Sequence, residues 1–152
     1  MRPPHHRYSS PGYSLQTMLV AFPFVCFTLT LATDLAFWGS ANLMWQNFSA
    51  WLLFAGLVVG GIAVVTGILG LLFLSHDRDR STVWPYAVGG LIVLILALFN
   101  SFVHAGDGWT AVVPNGLILS AITVVLMLAT AWIGRVVAHR HAAHIEGVRT
   151  YG

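Results

Sequence analysis

Four stretches of the chain stay apolar for about the length of a bilayer crossing. They cover residues 15–38, 51–75, 83–104 and 113–134. A helix needs roughly 20 mostly apolar residues to cross bilayer hydrocarbon, and each stretch meets that length. One formal charge, Asp34, falls inside them. Polar and apolar positions do not alternate, as the strands of a membrane barrel would require. In hydrocarbon a helix satisfies its own N–H and C=O groups. The pattern therefore predicts an all-α fold, a four-helix transmembrane bundle. Short connections predict an antiparallel, up-down order. The expected transmembrane domain covers residues 15–140, between a mobile N-terminal tail over 1–14 and a C-terminal tail over 141–152.

Composition removes the soluble alternatives. Charged residues make up 8% of the 152 positions and hydrophobic ones 57%. A soluble domain carries about 25% charged residues, so most of this surface must face lipid. The chain has no Lys, and its seven Arg fall in three short clusters rather than over one face. That distribution argues against nucleic acid as a partner.

The Arg positions also orient the bundle. Arg2 and Arg7 precede the first stretch, Arg78 and Arg80 join the second to the third, and Arg135, Arg140 and Arg149 follow the start of the fourth stretch's exit. The loops over 39–50 and 105–112 hold no Arg or Lys. The positive-inside rule then predicts both termini in the cytoplasm of a bacterium, with the protein multi-pass in the inner membrane. Trp38, Trp45, Trp51 and Trp109 would mark the outer interface, and Trp84 and Trp132 the inner one. Gly39-Ser40-Ala41 is a weak cleavage triplet, but the run before it exceeds a signal-peptide core, so the first helix is read as retained. Asn47-Phe48-Ser49 fits a glycosylation triplet and is given no weight.

Packing signals are concentrated in the second stretch. Gly56 and Gly60 form a small-xxx-small pair that admits a neighbouring backbone. Gly89 and Gly90 offer the same in the third. Pro23 interrupts the first helix and frees a carbonyl one turn earlier, which predicts a kink. Pro114-Asn115 reads as a helix start. Cys26, the single cysteine, reads as a small buried hydrophobe.

The run 18–23, Met-Leu-Val-Ala-Phe-Pro, continues to Asp34, then to the glycine-rich second stretch and to 100–141, "NSFVHAGDGWTAVVPNGLILSAITVVLMLATAWIGRVVAHRH". Asp107-Gly108-Trp109, Trp132-Ile133-Gly134 and Arg140-His141 are its most specific blocks. With these the chain resembles a small bacterial membrane family, domain of unknown function 2231. The resemblance implies the membrane location and the helical fold. Family members typically carry two His-Pro pairs before the first helix, where this chain has Tyr13-Ser14 and Gln16-Thr17. Their usual Tyr-Arg-His-Gly-Val-Gly ending is replaced by 138–143, Ala-His-Arg-His-Ala-Ala. Relatives occur beside or fused to redox proteins, so the resemblance implies a membrane redox partner.

Asp34 is the sharpest candidate for chemistry, because an ionisable residue inside a span is functional by default. Its expected partners are Asn100 and His104, one turn apart on the third helix, with Thr30 one turn away on its own. This intramembrane polar cluster reads first as a packing contact and second as the heart of a small ion or proton transporter using Asp34 and His104. His104-Ala105-Gly106-Asp107 offers too few ligands for zinc, and no metal site is assigned. His76 and His139 are the candidate axial pair for a b-type haem, both near the inner interface. Ser120 and Thr123 are expected to bond local carbonyls. No nucleophile–base–acid set appears, so no catalytic residue is assigned. The favoured function is a non-catalytic accessory or anchoring module for a membrane partner, a redox protein or a second copy. The alternative is an electron-transfer module holding haem or quinone.

Overall fold

The computed structural model describes residues 11–73, 80–106 and 109–151. They form five helices: α1 (Pro11–Ser40), α2 (Leu43–Phe73), α3 (Arg80–His104), α4 (Trp109–Val112) and α5 (Asn115–Tyr151). No strand occurs among the described residues. Four segments are long and apolar enough to cross a membrane: Leu15–Ser40, Leu43–Leu69, Ala87–His104 and Trp109–Val137. The all-helical, four-span expectation is thus met.

The boundaries differ from the hydropathy reading in one place that matters. The loop expected over 39–50 is almost entirely helix. Only Ala41 and Asn42 separate α1 from α2. Ala41 takes a positive φ of 51°, and its N–H closes α1 on the Phe37 carbonyl at 2.7 Å. The Asn42 Oδ1 then accepts the Met44 N–H at 3.0 Å, capping the new helix. Gln46, Asn47 and Ser49 resemble a loop by polarity, but they lie on the first turns of α2. Residues 105–112, also expected as loop, include the single turn α4. Pro114, preceded by a cis peptide bond, sits just before α5, as its sequence position implied. α5 is 37 residues long, about 55 Å, so it continues past the fourth expected span into residues expected as a tail.

Each long helix turns one narrow stripe inward. The buried positions are Pro23, Cys26, Phe27, Thr30, Asp34 and Phe37 on α1, and Ser49, Leu53, Gly56, Gly60 and Ala63 on α2. Among the described side chains they are Val93, Ala97, Asn100 and His104 on α3, and Gly116, Ser120, Thr123, Met127 and Gly134 on α5. Steps of three and four residues put each set on one helical face. The other faces expose large apolar side chains such as Phe54, Phe99, Phe102 and Trp132, as a lipid solvent permits. Cys26 is buried in the core with Phe27, Leu53, Val93, Ala97 and Met127, as expected of a small hydrophobe.

Glycines set the closest approaches. A Cβ on Gly56 would lie 2.5 Å from Phe27 Cε1, and one on Gly60 would lie 2.6 Å from Leu94 Cδ2 and 3.3 Å from Pro23 Cγ. The expected small-residue pair therefore seats both α1 and α3 on α2. Gly89 packs directly against Thr130 of α5, whereas Gly90 faces open space. Gln16 ties the first turns of α1 to the later part of α2, donating to the Ala63 carbonyl at 3.0 Å and accepting from Thr66 Oγ1 at 3.0 Å. Gly56→Leu should overpack this seam and cost about 1–3 kcal/mol. Gly61→Leu, with nothing within 4 Å of its added Cβ, should leave stability nearly unchanged. Thermal unfolding of both variants in one mild detergent checks the contrast.

Candidate functional site

Asp34 has no exposed surface. It lies on the inward stripe of α1, six residues before the helix ends. A bare carboxylate there would cost several kcal/mol, so its surroundings must supply hydrogen-bond donors. Three other helices do so. Ser49 of α2 donates its hydroxyl to Oδ1 at 2.5 Å. Ser120 of α5 donates to Oδ2 at 2.5 Å. His104, the last residue of α3, places Nε2 2.9 Å from Oδ1. One side chain thus joins all four spans at one level.

A second circle of bonds holds these partners. Asn100 Nδ2 donates to Ser120 Oγ at 2.7 Å, which leaves the Ser120 proton for Asp34. Thr33 Oγ1 lies 2.7 Å from Ser49 Oγ. The His104 Nδ1 lies 3.0 Å from the Asn100 backbone carbonyl, which can only accept, so Nδ1 carries a proton. With that tautomer set, the Nε2–Oδ1 contact also needs one proton between its two atoms. The Asp34–His104 pair therefore holds a single shared proton, as imidazolium with carboxylate or as imidazole with carboxylic acid. Both forms are neutral as a pair.

Small and aromatic residues close the site. A Cβ on Gly116 would lie 2.7 Å from His104 Cε1, so only glycine lets the ring rest on the first turn of α5. Ala111 and Val112 of α4 are buried, Ala111 with its carbonyl beside Gly116, and the Trp109 ring meets Phe37 at a centroid distance of 5.4 Å. Gln46 of α2 holds the connection after α3 by donating to the Gly106 carbonyl at 3.2 Å. Among the described residues one buried side-chain polar atom has no partner: Asn100 Oδ1, on a residue 1% exposed.

A family model for a predicted membrane protein, domain of unknown function 2231 (DUF2231), matches residues 12–147. The chain belongs to the DUF2231 family. No curated protein and no solved structure matches it.

Asp34 and His104 meet directly, as their sequence positions suggested. Asn100 reaches Asp34 through Ser120 rather than by contact. Thr30 bonds the Cys26 carbonyl at 2.9 Å instead of Asp34. Thr123 bonds the Leu119 carbonyl, as a hydroxyl on an apolar helix was expected to, but Ser120 turns inward to the carboxylate. Ser49 was hidden by its apparent loop and its glycosylation-like triplet. Its signal would have been a serine nine residues after the α1 end on the inward stripe, visible only once α2 is known to begin at Leu43. Of the expected haem pair, His139 is exposed on α5, and His76 lies outside the described residues, as does Asp107. Among the described residues no group of three His, Cys, Asp or Glu could hold a metal.

Ser120→Ala in this DUF2231 protein should cost about 1–3 kcal/mol, because it strands both Asn100 Nδ2 and Asp34 Oδ2. Thr123→Val removes only a bond within one helix and should cost distinctly less. Denaturant or thermal unfolding of the two variants side by side gives the comparison.

Proposed function

We propose that this protein is a non-catalytic accessory or anchoring module of the bacterial inner membrane, serving a membrane partner such as a redox protein or a second copy of itself. One observation carries the reading. The single acid of the described spans is wholly buried and bonded by side chains of the other three spans. Its polar chemistry is spent on holding helices together, and the outward faces offer apolar surface to lipid or to another membrane protein.

We further propose an antiparallel, up-down bundle with both termini in the cytoplasm. Gln16 beside Thr66 and Thr33 beside Ser49 support opposite directions for α1 and α2. His104 beside Gly116 and Gly89 beside Thr130 support the same for α3 and α5. Seven Arg on one side and none in the two opposite connections support the orientation. Within this reading the Asp34 cluster lies near the outer face.

Isolation from native membranes in mild detergent tests the function. The account expects a membrane partner, or a second copy, at fixed stoichiometry through successive purification steps. A clean monomer without partners would count against it. An absorption spectrum before and after dithionite, expected to be featureless, separates the electron-transfer reading. A Soret band that shifts on reduction, and is lost in His76→Ala or His139→Ala, would replace the accessory reading with haem binding. For topology, Ser40→Cys and Arg140→Cys, each in a Cys26→Ala background, should react with an impermeant maleimide from opposite sides of the membrane. Reaction from the same side would refute the proposed orientation.

A further inference from the structure

We infer that Asp34, His104, Ser120 and Asn100 form a proton-binding site whose entrance is the pair of hydroxyls on Thr33 and Ser49. The inference goes beyond the accessory reading and starts from the one buried side-chain polar atom without a partner among the described residues. Asn100 Oδ1 is buried, carries two acceptor lone pairs, and has no donor. A lost hydrogen bond of this kind in an apolar interior asks for an explanation.

Adding one proton to the site gives Oδ1 a donor. In the arrangement observed, Asn100 Nδ2 donates to Ser120, and Ser120 donates to Asp34 Oδ2. A proton arriving on Oδ2 reverses the first link, because the carboxylic O–H then donates to Ser120 Oγ. The Ser120 proton must find another acceptor. A half-turn of the Asn100 amide presents Oδ1 to the Ser120 hydroxyl, while Nδ2 takes the place that Oδ1 held. Meanwhile Oδ1 of Asp34 keeps its bonds from Ser49 and from the His104 Nε2–H. The network thus holds one proton or two without losing a link inside the chain Asp34–Ser120–Asn100. The second proton leaves one net positive charge on the Asp34–His104 pair, at the end of α3. Losing the first proton instead would set the Nε2 lone pair against the carboxylate, so that state is disfavoured.

The site has an entrance on one side. Thr33 is half-buried at the edge of α1 and α2, and its hydroxyl is in reach of the Leu29 and Thr30 carbonyls and of Ser49 Oγ. Ser49 continues to Asp34. Each hydroxyl both donates and accepts, so rotation about two C–O bonds carries a proton from the edge to the carboxylate. Inward, the path ends. Thr30 and Thr123 spend their protons on their own helices. Below them Cys26, Phe27, Leu53, Val93, Ala97 and Met127 form an apolar core. Gln16 and Thr66, the polar contact toward the other end, stand eighteen residues from Asp34 along α1, about 27 Å of helix. The arrangement suits a one-sided proton sensor, not a conduit.

The groups that face Asp34 are few. α2 presents Ser49, α3 presents His104 and Asn100, α5 presents Ser120, and the buried residues of α4, Ala111 and Val112, are apolar. Among the described residues His104 is the single titratable partner.

The test uses the full chain in lipid nanodiscs, with histidine and asparagine labelled by nitrogen-15. As pH is lowered, the Asn100 side-chain amide signals should shift in a one-proton step, and Asp34→Asn should abolish that step. Solvent exchange of the His104 ring proton should slow by about a hundredfold in Ser49→Ala, the lower end of what a positioned proton-transfer group contributes. Thr66→Val, at the other end, should leave the exchange rate unchanged. Asn100 signals that stay constant at every pH where the helices persist would overturn the binding site. Equal exchange in Ser49→Ala and the unmodified chain, or slowing by Thr66→Val, would overturn the entrance.

Discussion

A carboxylate inside a membrane bundle governs this structure. Lipid offers Asp34 neither water nor counter-ions, so the other three spans must bring donors to it. Ser49, His104 and Ser120 do so from three different helices. Each can arrive only if the helices stand at a fixed rotation and height. The hydrophobic effect does not press membrane helices together, since lipid tails are as apolar as leucine. Specificity therefore has to come from close packing and from polar contacts of this kind. Here both are present, with the Gly56–Gly60 seam near the middle of α2 and the Asp34 cluster toward its start.

The smaller features follow from that constraint. The turn at Ala41–Asn42 is short because α2 must begin early enough to bring Ser49 opposite Asp34. Gly116 is free of a Cβ because the His104 ring occupies the space. Asp34, Asn100, His104 and Ser120 are all buried, and hydrogen bonds gain strength in such a low-dielectric interior. The single-proton pairing of Asp34 with His104 keeps the centre neutral, which suits a low-dielectric interior better than any separated charge.

Much of this was legible in the chain. Length and hydropathy marked four spans, and a lone acid within them marked the site. Asp34 and His104 were readable as a pair because both lie near the same end of their spans. The glycine pair on α2 was readable from its spacing alone. What hydropathy hid was the start of α2, since Gln46, Asn47 and Ser49 lower the local average though they sit on a helix. That error concealed Ser49. The direction of Ser120 was hidden for a different reason. A serine on an apolar helix serves its own backbone unless a neighbour offers a better acceptor, and sequence gives no rotation of α5 against α1. The same holds for Thr30, which lies beside Asp34 in the helix yet bonds Cys26. Membership of DUF2231 fits the membrane reading and adds no residue roles.

The central claim is that Asp34 and His104 act as one unit in holding the spans together. A double-mutant cycle with Asp34→Asn and His104→Gln, read by reversible unfolding in one detergent, addresses it directly. If the pair is coupled, the double variant loses less stability than the two single variants combined, by about 1.5 kcal/mol or more, as close interacting residues do. Additive losses, agreeing within about 0.5 kcal/mol, would mean that the contact contributes nothing as a pair and would contradict the account.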